Sequence, residues 1–370
     1  MKITIVQGAF FPIPPLLGGA VEKMWFSLAQ EFNAEGHEVY YISKSYKGLS
    51  NEDYTQGIHH KRVKGYKAPK SGILLKLLDL FYTFRAVRQI SSDTDIIVSN
   101  TFWLPILLSS QQKKKCLIDV ARIPKGQMKY YTGNGRLRAN STPVAKAIKD
   151  EIKKKYFDKV IIIPNTLPFK NDKGVDFNRK EKIILYTGRI HPEKGLDILI
   201  DAFSKCKDLG WQLQIVGPYS TETGGGGVSY LNMLKGKANR KNVIFKEPIF
   251  DIAELGEIYA RASIFVYPSV AELGETFGVS PLEAMSWGCA TVVSKLECFK
   301  DFLINNENGL CFDHRSENRV EILTGLLNSL MENELQLKTI ANRGLTVNET
   351  HSNEKLAKEF LNEFDKMKNQ

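Results

Sequence analysis

Two carboxylates eight positions apart, Glu275 and Glu283, stand inside the stretch Ala262–Leu296, ASIFVYPSVAELGETFGVSPLEAMSWGCATVVSKL. Joined by continuous helix, their Cα atoms would lie about 12 Å apart. That span suits hydroxyls at two ends of an extended ligand, such as a nucleotide sugar with a sugar at one end and a ribose at the other. Gly278 and Val279 fall between them, just before a helix, where backbone amides suit anionic or hydroxyl oxygens. Plainer readings stand beside these. Ser280-x-x-Glu283 is equally a capping box, which needs no ligand, and Glu275 alone reads as a solvated loop charge.

A second set of groups precedes the helix Leu196–Lys205: Gly188, Arg189 and Lys194, in Thr187-Gly-Arg-Ile-His-Pro-Glu-Lys194-Gly195. Close backbone, two cations and a helix N-terminus are what a diphosphate needs. A plain loop with solvated charges is the alternative. His191 reads as a spacer and points to no metal site.

These residues need strands and helices to hold them. Ser263–Tyr267 and Ala290–Ser294 have the apolar, β-branched character of buried parallel strands. Between them Pro268 ends the first strand, Gly274 and Gly278 allow turns, Ser280 with Pro281 opens a helix, and Gly288 closes it. Lys182–Tyr186 is the strand before Gly188. Trp211–Val216 is another, ending at Gly217-Pro218 and followed by YSTETGGGGV, whose four glycines at 224–227 suggest a mobile lid or a linker. At the N-terminus, strand Lys2–Gln7, a Gly- and Pro-rich loop, helix Val21–Ala34 and strand Glu38–Ile42 make a doubly wound start. There Gly18 and Gly19 let backbone approach a phosphate. After strand Lys115–Val120, Arg122 and Lys125 with nearby tyrosines could hold an acceptor or a phosphate on it, or be ordinary surface charges. Asp93-Thr-Asp95 mimics a D-x-D metal motif but precedes strand Ile96–Ser99, whereas ligands gather at the carboxyl ends of such strands; it is set aside. Residues 44–72 read as a polar excursion.

Length and composition bound the reading. A chain of 370 residues suits two domains, and 43% hydrophobic with 25% charged residues is ordinary for a globular protein. The five cysteines form no C-x-x-C pair and have no histidine at zinc spacing, so reduced thiols in the cytoplasm are expected. Met1-Lys-Ile-Thr-Ile-Val reads as a first strand and not a signal peptide, and no apolar run approaches a membrane span. A formal charge of +10 admits nucleic acid, anionic lipid or a phosphorylated substrate. No nucleic-acid motif accompanies it, so nucleic acid is not expected as a partner. Gly72–Ile90, GILLKLLDLFYTFRAVRQI, is amphipathic and cationic. It reads as a helix packed on the sheet or as one that touches a membrane surface.

Taken as ordered strings, Glu275-Thr-Phe-Gly-Val-Ser-Pro-Leu-Glu283-Ala-Met-Ser-Trp-Gly288 resembles the E-x7-E signature of glycosyltransferase family 4, and Gly188-Arg189-x-x-x-Glu193-Lys194-Gly195 resembles a second motif of that family. Gly18-Gly19 with its helix and Glu35-Gly-His-Glu-Val39, the segment from Asn140, and Pro164-Asn165 resemble the family's first domain. The likeness is strongest over about 180–312. It implies an α/β chain of the GT-B fold, with two Rossmann-like doubly wound domains facing an interdomain cleft. Residues 1–165 would form the acceptor side, 353–368 a helix crossing back onto it, 166–182 the linker and 183–352 the nucleotide-sugar domain.

The resemblance also implies roles. Glu275 would lie by the donor sugar and Glu283 on the ribose, while Arg189 and Lys194 stabilise the leaving diphosphate. Gly18, Gly19, Gly188, Gly217, Thr276, Phe277, Gly278 and Val279 would line the donor. Asp119 stands where many members carry a histidine: either it takes that place beside the donor sugar, or the contact is absent. The implied reaction is retaining transfer of a hexose or N-acetylhexosamine from a nucleotide sugar, UDP favoured over GDP, to a saccharide or lipid-linked acceptor. No cofactor and no essential metal are expected. Cell-envelope polysaccharide or lipopolysaccharide synthesis fits, in the cytoplasm or peripherally on the inner face of the cytoplasmic membrane, with an anionic membrane surface as a partner. The alternatives are a GT-B epimerase or phosphorylase, and a non-catalytic basic binding module of the same fold.

Overall fold

Short β-branched runs alternating with helical segments build two parallel sheets. The computed structural model describes residues 1–17, 19–69, 71–169, 174–238 and 242–369. The chain divides into two compact units, residues 1–168 with 351–370, and residues 169–350.

In the first unit, β1 (Lys2–Val6), β2 (Glu38–Lys44), β3 (Glu52–Thr55), β4 (Ile58–Val63), β5 (Ile96–Ser99), β6 (Cys116–Val120), β7 (Arg136–Ala139) and β8 (Val160–Ile162) form one sheet. Its order is β3-β4-β2-β1-β5-β6-β7-β8, parallel except for the antiparallel pair β3 and β4. The excursion read at 44–72 therefore contains a hairpin that extends the sheet. No apolar alternation marks its strands, because β3 is short and mostly exposed and the alternately buried side chains of β4 include His60 and Arg62.

Helices α1 (Ala20–Ala34), α2 (Gly72–Val87), α3 (Leu104–Leu107), α4 (Ser110–Lys114) and α5 (Thr142–Glu151) belong to this unit. Side chains alternate along each strand, so each strand feeds both faces of the sheet. Ile3, Ile5, Val39 and Val98 pack with Trp25, Leu28 and Phe32 of α1. Val6, Ile97 and Ile118 pack with Tyr82 and Ala86 of α2 and with Val144 and Ile148 of α5. Covering both faces is what a parallel sheet requires.

The second unit holds β9 (Glu181–Thr187), β10 (Gln212–Val216), β11 (Val243–Lys246), β12 (Ala262–Tyr267), β13 (Ala290–Ser294) and β14 (Leu310–Phe312). All are parallel, in the order β11-β10-β9-β12-β13-β14. Its helices are α6 (Leu196–Lys205), α7 (Gly227–Lys237), α8 (Ile252–Arg261), α9 (Val279–Ser286), α10 (Arg319–Glu332), α11 (Glu334–Gly344) and α12 (Val347–Thr350). Counting from β9, the order is 3-2-1-4-5-6, the doubly wound arrangement whose winding reverses between strands 1 and 4. The loops leaving β9 and β12 therefore emerge side by side at the switch point.

The last helix, α13 (Asn353–Lys368), is part of the first unit. Leu356, Phe360, Phe364 and Met367 recur at helical spacing and are buried in the cluster that includes Trp25 and Phe32.

Candidate active site

The loops at the β9/β12 switch point carry the charged residues singled out in the sequence. After β9, Gly188 has φ 144° and Gly217, after β10, has φ 154°. A Cβ on Gly217 would stand 1.9 Å from the Gly188 carbonyl oxygen, so the two strand ends close on each other only because Gly217 has no side chain. Arg189 follows, half exposed. Its Nη1 donates to the Gly224 carbonyl at 2.7 Å and its Nη2 to Glu193 Oε1 at 2.6 Å. The guanidinium is thus aimed before any ligand arrives.

The four glycines are tied down by backbone hydrogen bonds. Gly225 N–H donates to the Ser220 carbonyl, Gly226 N–H to Ile190 and Gly227 N–H to Tyr219, and Gly227 begins α7. A Cβ on Gly225 would meet the Tyr219 carbonyl at 2.3 Å. The run is a folded turn that brings the Gly224 carbonyl to Arg189.

Lys194 ends a short 3₁₀ turn, Pro192–Lys194, capped by the His191 ring nitrogen, which accepts from Glu193 N–H at 3.3 Å. That capping is the role of the residue read as a spacer. Gly195, at φ 63°, lies so close to the Pro268 carbonyl that a Cβ would fall 2.1 Å from it. This close approach brings the loop after β9 against the loop after β12. Glu193 seals the contact, its carbonyl accepting from Val270 N–H at 2.9 Å and Ser269 Oγ at 3.2 Å. Across the junction Lys194 Nζ donates to Glu275 Oε2 at 2.6 Å, with side chains only 6% and 11% exposed. The same ammonium sits 5.3 Å from the Tyr267 ring centroid.

Glu283 is buried on α9 and accepts a 2.9 Å hydrogen bond from the Tyr259 hydroxyl. Thr187 Oγ1 lies 2.5 Å from that same oxygen. Burial, reinforced by Glu283, pushes the Tyr259 phenol well above its usual range. It stays protonated, and with its one hydrogen given to Glu283, Thr187 is the donor to Tyr259. The relay holds one carboxylate oxygen in place at the carboxyl end of β9. The capping-box reading of Ser280 and Glu283 fails. The N-cap is Gly278 at φ 90°, which has no side chain, and Ser280 and Pro281 lie inside the helix.

Residues 169–345 match the model of the family described as glycosyl transferases group 1. That span covers nearly all of the second unit, residues 169–350. An uncharacterized glycosyltransferase of Bacillus subtilis is 24% identical over 198 residues, 53% of this chain and 52% of that protein, so the chain spans about half of that relative's length. Among solved structures, sucrose-phosphate synthase from Thermosynechococcus elongatus aligns with a TM-score of 0.81 at 16% identity, over 99% of this chain and 98% of that one. HepE of Anabaena, in complex with UDP and glucose, aligns with a TM-score of 0.74 at 16% identity, over 99% and 100% of the two chains. At such identities these structures speak for the fold, two Rossmann-like α/β domains of the GT-B class.

Within the second unit, four residues the sequence did not single out belong to the site: Thr187, Tyr259, Tyr186 and Tyr267. The last two stack with centroids 5.6 Å apart, and Tyr186 donates to the Arg189 carbonyl at 2.8 Å. Their apolar strand context hid them; a tyrosine ending a buried strand beside a charged loop was the available signal. Of the expected donor-lining residues, Phe277 is a core side chain packed on Phe302 at 5.3 Å, so only its backbone could meet a ligand. Gly278 is required because a Cβ there would strike the Phe299 ring at 2.4 Å. Thr276 and Val279 are half-buried at the start of α9.

In the first unit the expected residues separate. Gly18 lies outside the described residues. Gly19 caps α1 at φ 96°, and the space its side chain would take is filled by the Glu22 carboxylate, 2.2 Å from an ideal Cβ. Glu22 also accepts from Gln7 Nε2 at 3.0 Å, and burial raises its carboxyl pKa. Asp119 does not present its carboxylate to a sugar. The side chain has no exposed surface, bonding Arg138 Nη1 at 2.6 Å and Trp25 Nε1 at 2.8 Å. Arg122 and Lys125 are exposed beyond β6. Asp93 and Asp95 stand at the amino end of β5 and bond Lys2 through its ammonium and its backbone amide.

Proposed function

We propose that the chain is a retaining glycosyltransferase of the family 4 type, drawing on a nucleotide-sugar donor held by the second unit. The observation that carries this is the Lys194–Glu275 pair across the β9/β12 switch point, with Arg189 on one side and the Glu283–Tyr259–Thr187 relay on the other. Doubly wound sheets bind ligands at that point. Arg189 and Lys194 supply fixed positive charge where a leaving diphosphate would gather negative charge, and preorganised charge of this kind stabilises a transition state most. Glu275, carried on the neighbouring loop, is placed for a donor-sugar hydroxyl. Glu283 is placed for ribose hydroxyls.

The donor sugar would be a hexose or N-acetylhexosamine, and UDP is the favoured nucleotide; a fold neighbour whose structure holds UDP and glucose supports that choice. The two cations take the electrostatic role of a metal ion, so transfer would need none. Arg122 and Lys125 remain exposed for a saccharide or lipid-linked acceptor. Work in cell-envelope polysaccharide synthesis, from the cytoplasmic side of the membrane, fits this acceptor class.

The test is a panel of nucleotide sugars in a thermal-shift assay on wild type and Glu283→Ala, followed by transfer assays with the stabilising donor. Stabilisation by one nucleotide class, lost in Glu283→Ala, supports the donor site. Release of free nucleotide with an acceptor-linked sugar of unchanged anomeric configuration, undiminished by a chelator, supports metal-free retaining transfer. An inverted product, or a donor epimerised without transfer, sinks the reading.

A further inference from the structure

Helix α2 has two apolar faces. One packs inward through Tyr82 and Ala86, with Asp79 and Thr83 buried beside them. On the opposite side, Ile73, Leu77, Phe81 and Phe84 fall within roughly a quarter-turn of one another at 100° per residue. All four are exposed, Ile73 by 76% and Phe81 by 53%. A helix that only covered a sheet would turn polar residues outward. Contiguous exposed apolar surface of this kind marks a contact site.

The rim of the stripe names the occupant. Lys76 and Arg88 on the helix, and Lys64 and Lys67 on the segment before it, are exposed. That segment is pinned beside the helix, because Arg85 Nη1 donates to the Lys64 carbonyl and to the Tyr66 hydroxyl, both at 3.1 Å. The helix's own acid, Asp79, is buried and accepts from Phe102 N–H at 3.1 Å. Phe102 and Trp103 are thereby held at the helix flank, where the Trp103 indole donates to the Lys76 carbonyl at 2.7 Å. A second copy of the chain would bring this ring of cations against itself. A bilayer with anionic headgroups takes the apolar stripe into its acyl boundary and the cations onto its surface. No helix among the described residues is long and apolar enough to cross a membrane, so the contact is one of lying on the surface.

We infer that the Ile73–Leu77–Phe81–Phe84 face of α2, with its cationic rim, docks the chain on an anionic lipid bilayer. This stands on α2 and not on the donor site. The experiment is flotation of the full chain with vesicles of phosphatidylcholine alone and with vesicles rich in phosphatidylglycerol, at low and high salt. Wild type is expected to float with the anionic vesicles, less so at high salt. Ile73→Gln with Phe81→Gln should lower partition at least about ten-fold. Lys64→Gln with Lys67→Gln should lower it about ten-fold on anionic vesicles and leave neutral ones unaffected. All four positions are exposed, and unchanged thermal unfolding confirms that the variants fold.

Absence of flotation, or flotation that both variant pairs retain, overturns the inference. So does a wild-type dimer in sedimentation that Ile73→Gln with Phe81→Gln dissolves, which would make the stripe a self-contact. Transfer to a water-soluble acceptor separates this from the catalytic reading. Vesicle binding without any transfer would leave the docking face and remove the glycosyltransferase; transfer without vesicle binding would do the reverse.

Discussion

Each unit carries a buried ion pair near the carboxyl ends of its strands, and the two pairs differ in what their partners have left to give. In the first unit Arg138 and Asp119 are register partners on adjacent strands, with no exposed side-chain surface on either. Arg138 spends its remaining donors on the Ile163 and Pro164 carbonyls and on Asn165 Oδ1, and Asp119 takes a second bond from Trp25. In the second unit Lys194 makes one hydrogen bond among the described residues, to Glu275, with Glu193 near at 3.9 Å. An ammonium has three donors and a carboxylate about four acceptor sites. A pair with no exposed surface, both of whose partners are bonded onward to neighbouring groups, holds a fold together. A pair with capacity to spare, at a switch point, is poised for a ligand.

Breaking each pair should therefore give different phenotypes. Arg138→Met leaves Asp119 buried and uncompensated, which typically costs about 3–5 kcal/mol. Urea unfolding should show that loss, while whatever folded protein remains keeps its donor-induced stabilisation. Lys194→Met should do the opposite. Glu275 still borders solvent, so the midpoint should move less, but transfer should fall about 10²–10³-fold, as when one preorganised oxyanion donor is removed. Equal losses of stability in both variants, with equal losses of transfer, would erase the distinction.

The difference also explains what could be read from sequence. Arg189, Lys194 and Glu275 stood out as charges among glycines on loops, and it was the resemblance of the ordered strings to family 4 motifs that joined them into one expected site. The doubly wound class followed from strand–helix alternation together with the resemblance, while the strand order came only with the structure. The choice at Asp119 stayed open because a linear string shows a carboxylate without its partner; Arg138 lies nineteen residues on, inside a strand. An arginine in the run Arg136-Leu-Arg-Ala139 was a signal that something acidic must meet it. Tyr259 and Thr187 were invisible for a related reason, since each fits an apolar helix or strand pattern and acts only through a contact made in space. The glycine run was ambiguous because flexibility in the unfolded chain says nothing of the close approaches the folded chain demands.

The relay at Glu283 sharpens the comparison within the second unit. If the carboxylate holds the donor ribose, Glu283→Ala should remove binding of UDP or of whichever nucleotide the panel selects. Tyr259→Phe, which leaves the carboxylate but takes away a hydrogen bond to a charged group worth about 1.5–3 kcal/mol, should weaken binding by about ten-fold at least. Titration calorimetry reads both. Undiminished binding in Glu283→Ala would make the relay purely structural, like the Arg138 pair.

The smallest effect concerns pH and belongs to the first unit. His60 sits buried among Tyr41 and Phe26 with no hydrogen-bond partner for either ring nitrogen. Burial lowers its pKa to about 4, and burial lowers that of His351 to about 4 as well. Unfolded, both imidazoles take up protons near 6.5. The unfolded state therefore binds more protons between the two values, and stability should drain away as pH falls from about 6.5 to about 4. Asp79 works against this. Burial raises its carboxyl to about 6, so the folded state holds the extra proton between about 6 and the ordinary carboxylate value, and its contribution grows as pH falls through that window. Asp79→Asn should consequently steepen the acid loss, and His60→Gln should flatten it. Unfolding midpoints measured from pH 7 down to 4 decide the point: if Asp79→Asn follows the wild-type profile, the buried carboxylate is not taking up its proton in the folded state.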